Sequence, residues 1–135
     1  MMEETPEELD WVNKRADCEL EAAFRKLSEA VEKDVGTFNS RFQPKVGLEA
    51  VFKPREEFDT FSVHRRRNSD VLWVTFRRKS KEIEIEDECG VQTLNAIPLL
   101  TENGRCKFQV GGEELEQWQL RRRALEAIFF RSTPR

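Results

Sequence analysis

At 135 residues, with 23 basic and 26 acidic side chains, the chain has the length of one domain and a net charge of -3, which excludes a globally basic nucleic-acid binder and an acidic, self-repelling tail. Leu, Ile, Val and Phe number 35, about 26% of the chain and above the roughly 20% below which disorder is expected. The longest stretch without a charge, Cys89–Thr101, is far short of the ~18 apolar residues of a bilayer span, and the acidic opening has no basic-then-apolar leader.

Thr5-Pro6-Glu7-Glu8 is a helix start, with Thr as N-cap, Pro at the first helical position and Glu closing a capping box. From Leu9 apolar residues recur every three or four positions through Val12, Ala16, Leu20, Phe24, Leu27, Val31, Val35, Phe38 and Phe42, the spacing of one straight helical stripe. Unbroken, such a helix is ~50 Å long, while a compact domain of this length has a radius of gyration of about 14 Å. Residues 1–15 are therefore expected either to bend away or to overhang the core and be covered by another subunit. Gly36 is the cheapest place for the C-terminal end to loosen.

Beyond Pro44 the period falls to two. Val46, Leu48, Ala50 and Phe52 predict a first strand ended by Pro54. A two-residue Asn68-Ser69 loop sets Val63 opposite Val74 and Phe61 opposite Phe76. A Lys79-Ser80 loop sets Phe76 opposite Ile83 and Val74 opposite Ile85, and an Asn103-Gly104 loop sets Leu99 opposite Phe108 and Ile97 opposite Val110. Val91 follows a five-residue connection, and Pro98 is expected outward at an edge or bulge. Glu113–Phe130 reads as the last helix, with Leu115, Trp118, Arg122, Leu125 and Phe129 on one line and Arg122 snorkelling from it. Residues 131–135 are a frayed tail. The expectation is a single α+β domain over 1–135: a long N-terminal helix, an antiparallel meander of about six strands and a C-terminal helix, both helices on one sheet face. Phe61, Val63, Val74, Phe76, Ile83, Ile85, Leu99 and Phe108 are its expected core.

The chemistry-bearing residues are sparse. Cys18, Cys89 and Cys106 are too few and too far apart for a disulfide framework, and no CxxC pair or Asn-linked glycosylation sequon is present. Both absences fit a reducing cytoplasm, the expected location. His64 is the only histidine, which rules out His clusters for metal, and the arginines beside it are expected to depress its basicity. No phosphate loop, dinucleotide fingerprint, nucleophile elbow or HExxH occurs; Gly111-Gly112 reads as a turn opening the last helix. No enzyme, cofactor or metal site is expected. Residues 1–40 hold 11 acids against 5 bases, whereas residues 64–81 hold seven bases. In that basic hairpin Arg65, Arg66, Trp73, Arg77 and Arg78 form a candidate single-stranded nucleic-acid contact, with His64 opposite Trp73; the competing reading has arginines guarding sheet edges, with Arg66 and Arg78 paired to Glu82 or Glu84. The leading expectation is a non-catalytic protein-interaction or adaptor module that self-associates as a homodimer through Leu9, Trp11, Val12 and Ala16, without membrane or nucleic-acid partners. The alternatives are the nucleic-acid binder and a small-ligand-binding protein.

Overall fold

A computed structural model describes residues 10–54, 59–67, 70–87 and 93–130. Two helices precede the sheet, α1 (Trp11–Asp17) and α2 (Leu20–Phe42), and one follows it, α3 (Gln117–Phe130). Between them run β1 (Ala50–Lys53), β2 (Thr60–Arg67), β3 (Asp70–Arg78), β4 (Ile83–Asp87), β5 (Thr93–Leu100), β6 (Cys106–Val110) and β7 (Glu113–Leu115). They form one antiparallel meander in sequence order. The fold is thus α+β as expected, with one strand more. That strand is Glu113–Leu115, assigned to the last helix by its apolar spacing; Leu115 instead pairs with Phe108 and is buried beside it.

The core lies between one sheet face and the helices. Ala23, Phe24, Leu27, Val31, Val35 and Phe38 of α2 and Leu120, Leu125, Ile128 and Phe129 of α3 pack on Phe61, Val63, Val74, Phe76, Ile83, Ile85, Ala96 and Phe108. The stripe read along residues 20–38 is therefore core. Asn39 fixes where the sheet starts, since its side chain bonds both backbone groups of Ala50, donating to the carbonyl at 2.9 Å and accepting from the N–H at 3.0 Å. Gln43 ends α2 with a positive φ of 47°. Val46 is 95% exposed, so the first strand begins four residues later than its alternation suggests.

The β2–β3 register is the expected one, with Val63 opposite Val74, Phe61 opposite Phe76 and His64 opposite Trp73. The β3–β4 register is two residues off the expected one, Phe76 facing Ile85 and Arg78 facing Ile83, because the turn closes with Lys79 N–H on Glu82 O at 2.8 Å. A slip of two keeps every side chain on its face, so the core list survives it. The β5–β6 register differs by one, with Pro98 opposite Phe108 and Ala96 opposite Val110. Gly104 takes φ 84°, adding a third residue to the loop in the manner of a bulged hairpin. That flips β5: Ala96 is buried, Ile97 is 43% exposed, and Leu99 drops out of the core. Pro98 lies on the helix-facing side, not outward, and beyond the paired end of β4, where no ladder bond is asked of its nitrogen.

The N-terminal helix is not continuous. It breaks at Cys18–Glu19, not near Gly36, with Glu19 extended at φ -65°, ψ 157°. Cys18 is disulfide-bonded to Cys106, 88 residues on, their Cα atoms 5.5 Å apart. The sequence separation that argued against a bridge is spanned by helix-on-sheet packing. Leu9, the start signal at Thr5, the Asn68-Ser69 loop, Cys89, the connection to Val91 and the tail 131–135 lie outside the described residues.

Candidate functional site

The surface residues predicted on the first helix are presented rather than packed. Among the described residues of α1 none is buried; Trp11 and Val12 are each 59% exposed and Ala16 is exposed. This helix touches the body mainly through Lys14, which lies where a side chain on Gly104 would have to go, 3.0 Å away, and through the disulfide just beyond its end.

A second apolar surface was hidden in the stripes. Phe42, Trp118 and Phe130, 60%, 53% and 52% exposed, line a groove of about 450 Å³ between α2 and α3. Its floor is aromatic: Phe38 stacks on Phe129 with centroids 4.7 Å apart and planes at 6°, and Phe130 sits edge-on to Phe42 at 5.2 Å. Asp34 of α2 and Arg121 of α3 tie the helices across it, one guanidinium nitrogen donating to both carboxylate oxygens at 2.8 Å. Arg122 does not snorkel from the core; it stands at the rim and donates to Glu126 at 3.1 Å. In the sequence Trp118 and Arg122 fall on a helical spacing with Leu125, which assigns both to the core line. The buried line of α3 runs instead through Leu120, Leu125, Ile128 and Phe129. The legible signal was the density of aromatics at the ends of two amphipathic helices, with Phe42, Phe129 and Phe130 too many for one core.

The basic hairpin is divided between the sheet faces. Arg65 points inward, donating to Leu48 O at 2.8 Å, Ile128 O at 3.1 Å and Phe129 O at 3.0 Å, with its guanidinium 4.9 Å from the Phe38 ring centre. Arg67 donates to Ala127 O at 3.3 Å. The last turn of α3 has no basic residue of its own, so these two β2 arginines supply the positive charge that a helix C-terminus attracts. Arg77 lies on the outer face, bonded to Glu86 at 2.9 Å and Glu84 at 3.3 Å; hydrogen bonding to Glu86 is the main cause of its raised pKa, followed in the same direction by Glu84. The expected pairing of Arg66 and Arg78 with Glu82 or Glu84 is not formed among the described residues; Arg77 and Lys79 take Glu84 instead. Arg66 is exposed, Trp73 half-buried on the outer face, and Arg78 lies near Glu21 and Glu29 at the other end of α2. The five residues do not make one surface.

Replacing Arg65 with Met leaves three carbonyls without their charged donor and should cost about 3 kcal/mol of stability. Urea unfolding checks this, and an unchanged midpoint would contradict the structural role given to Arg65.

His64 lies on the outer face with Nε2 3.0 Å from Ser62 Oγ. Its pKa is lowered from 6.5, first by partial burial and then by Lys53, rather than by the neighbouring arginines as expected. The unfolded chain therefore takes up this proton first, so folding stability falls as pH drops through 6.5. His64→Gln should flatten the pH dependence of the urea midpoint between about pH 7 and pH 5; identical slopes for both proteins would contradict this. Among the described residues no group of three His, Cys, Asp or Glu is gathered to hold a metal ion, and no helix is long and apolar enough to cross a membrane.

The chain matches no family model, no curated protein and no solved structure.

Proposed function

We propose that the chain is a non-catalytic interaction module that self-associates, α1 of one copy entering the α2–α3 groove of another. The observation that carries this reading is the distribution of exposed aromatics: Phe42, Trp118 and Phe130 converge on one groove, while Trp11 stands on a helix with no buried residue. Patches of this kind mark interaction sites more often than chance exposure does. A second copy is the occupant because the chain itself carries both an unpartnered apolar helix and an apolar groove between two helices. Neither surface presents unbalanced charge: Asp34 and Glu126 are paired with Arg121 and Arg122 at the rim, and on α1 Lys14 and Arg15 are matched by Asp10 and Asp17. Association should accordingly be insensitive to salt. Cytoplasmic residence belongs to the same proposal; there a disulfide is a transient, redox-sensing bond rather than a permanent staple.

Trp11→Glu and Trp118→Glu, each on a surface, should leave the unfolding midpoint within about 0.5 kcal/mol of wild type while each weakens self-association at least tenfold. Sedimentation equilibrium reads both. Loss of association by one variant alone would show that the other surface is not its counterpart. The volume of the groove also suits a small apolar ligand, since such pockets span roughly 300–1,000 Å³. A metabolite retained by the protein in native mass spectrometry and released by Trp118→Glu would favour that second reading. The nucleic-acid reading has lost its single surface with the division of the arginines between faces.

A further inference from the structure

We propose that the Cys18–Cys106 disulfide is a redox latch that holds the N-terminal helix bent, and that its reduction lets α1 and α2 join into one continuous helix. The break has no ordinary cause. Ala16-Asp17-Cys18-Glu19-Leu20 contains neither Gly nor Pro, the residues that interrupt helices. The apolar stripe runs through it in register from Val12 and Ala16 to Leu20 and Phe24, as in an unbroken helix. Nor is the break secured by capping: Glu19, at the N-cap of α2, makes no side-chain cap bond among the described residues, where a capped start is the stabilising arrangement. Ala23 is the first α2 residue whose N–H reaches a carbonyl ahead of the helix, Glu19 O at 2.8 Å. Rotation about ψ of Glu19, with a small adjustment at Cys18, offers the N–H groups of Leu20, Glu21 and Ala22 the carbonyls of Ala16, Asp17 and Cys18.

What holds α1 aside is the bond to β6, with the stem of Lys14 against Gly104 beside it. Its ion pairs, Arg15 to Glu19 at 3.8 Å and Asp17 to Lys26 at 3.7 Å, join side chains roughly half exposed or more, and such pairs contribute little. Both cysteines border surface clefts, Cys18 beside Arg15, Glu19 and Lys81, Cys106 beside Lys14, Asp17 and Lys26, and thiol–disulfide exchange needs such access to a sulfur. The step balances with a dithiol reductant. Its thiolate attacks one sulfur and displaces the other, its second thiol then releases the first, and the reductant closes its own disulfide while both cysteines end as thiols. This inference concerns the backbone at residues 18–20 and stands independently of self-association.

Amide hydrogen exchange of the full chain, followed by NMR with and without dithiothreitol, tests it. Reduction should slow exchange at Leu20, Glu21 and Ala22 at least tenfold and move the Glu19 Cα shift from extended to helical, with the core amides of Phe61 and Phe76 still protected. Cys18→Ser without reductant should reproduce the reduced pattern. Unchanged exchange at Leu20–Ala22 would overturn the proposal. So would exchange across the sheet at the rate of the unfolded chain on reduction or in Cys18→Ser, which would make the bond a staple without which the domain does not fold.

Discussion

Phe76→Ala should lower the unfolding free energy by about 4 kcal/mol, in the range found for Phe truncations in well-packed cores. Phe76 is fully buried and stacks on Phe61 with centroids 4.5 Å apart and planes at 11°. Phe61 in turn touches Phe24 of α2 at 5.2 Å and Phe52 of β1 at 5.7 Å. This aromatic column joins the long helix to the three strands nearest the β1 edge, so a cavity at Phe76 cannot be filled without shifting elements that are fixed elsewhere by Asn39 and Arg65. Urea unfolding should show the full loss in the midpoint. A loss below about 1 kcal/mol would mean that the column can collapse onto the space.

Cys106→Ser should have the next largest effect. The bond closes a loop with ends 88 residues apart, for which the chain-entropy model gives about 4.6 kcal/mol. The expected loss is smaller, about 2–4 kcal/mol, because a released Cys18 regains helical hydrogen bonds at the break. Calorimetry should find the melting temperature lower by about 10 °C for a domain of this size. An unchanged melting temperature would show that the bond constrains neither the unfolded chain nor α1.

The parts of the fold that could be read from the sequence are those in which one face alone is apolar. β2 and β3 put Phe61, Val63, Val74 and Phe76 on one face, and because only two residues separate the strands the register is the one that sets Val63 opposite Val74 and Phe61 opposite Phe76. β5 carries Leu94, Ala96, Pro98 and Leu100 on one face and Ile97 and Leu99 on the other. Alternation cannot choose between such faces, and the choice fell to the positive φ of Gly104. Between β3 and β4 a slip of two exchanges one apolar match for another, so hydrophobic pairing was blind to it. The bend at Cys18 was illegible for a different reason: it depends on a covalent bond to a residue 88 positions away, and the local sequence argues for helix. The arginines misled because sequence shows charge but not direction; Arg65 and Arg66 are adjacent, and in a strand adjacent side chains face opposite sides. The groove escaped because Phe42 and Trp118 satisfy the same helical spacing as the core, and only the way α2 and α3 cross decides that they stand outside it, beside Phe130.

Self-association of this kind requires exposed α1 and the exposed groove to meet between copies. The molar mass of the oxidised wild-type protein at tens of micromolar, by light scattering after size exclusion, decides this most directly. The expected mass is twice the 15.9 kDa of the chain, unchanged between about 0.05 and 0.5 M salt. A single-chain mass throughout that range would contradict it.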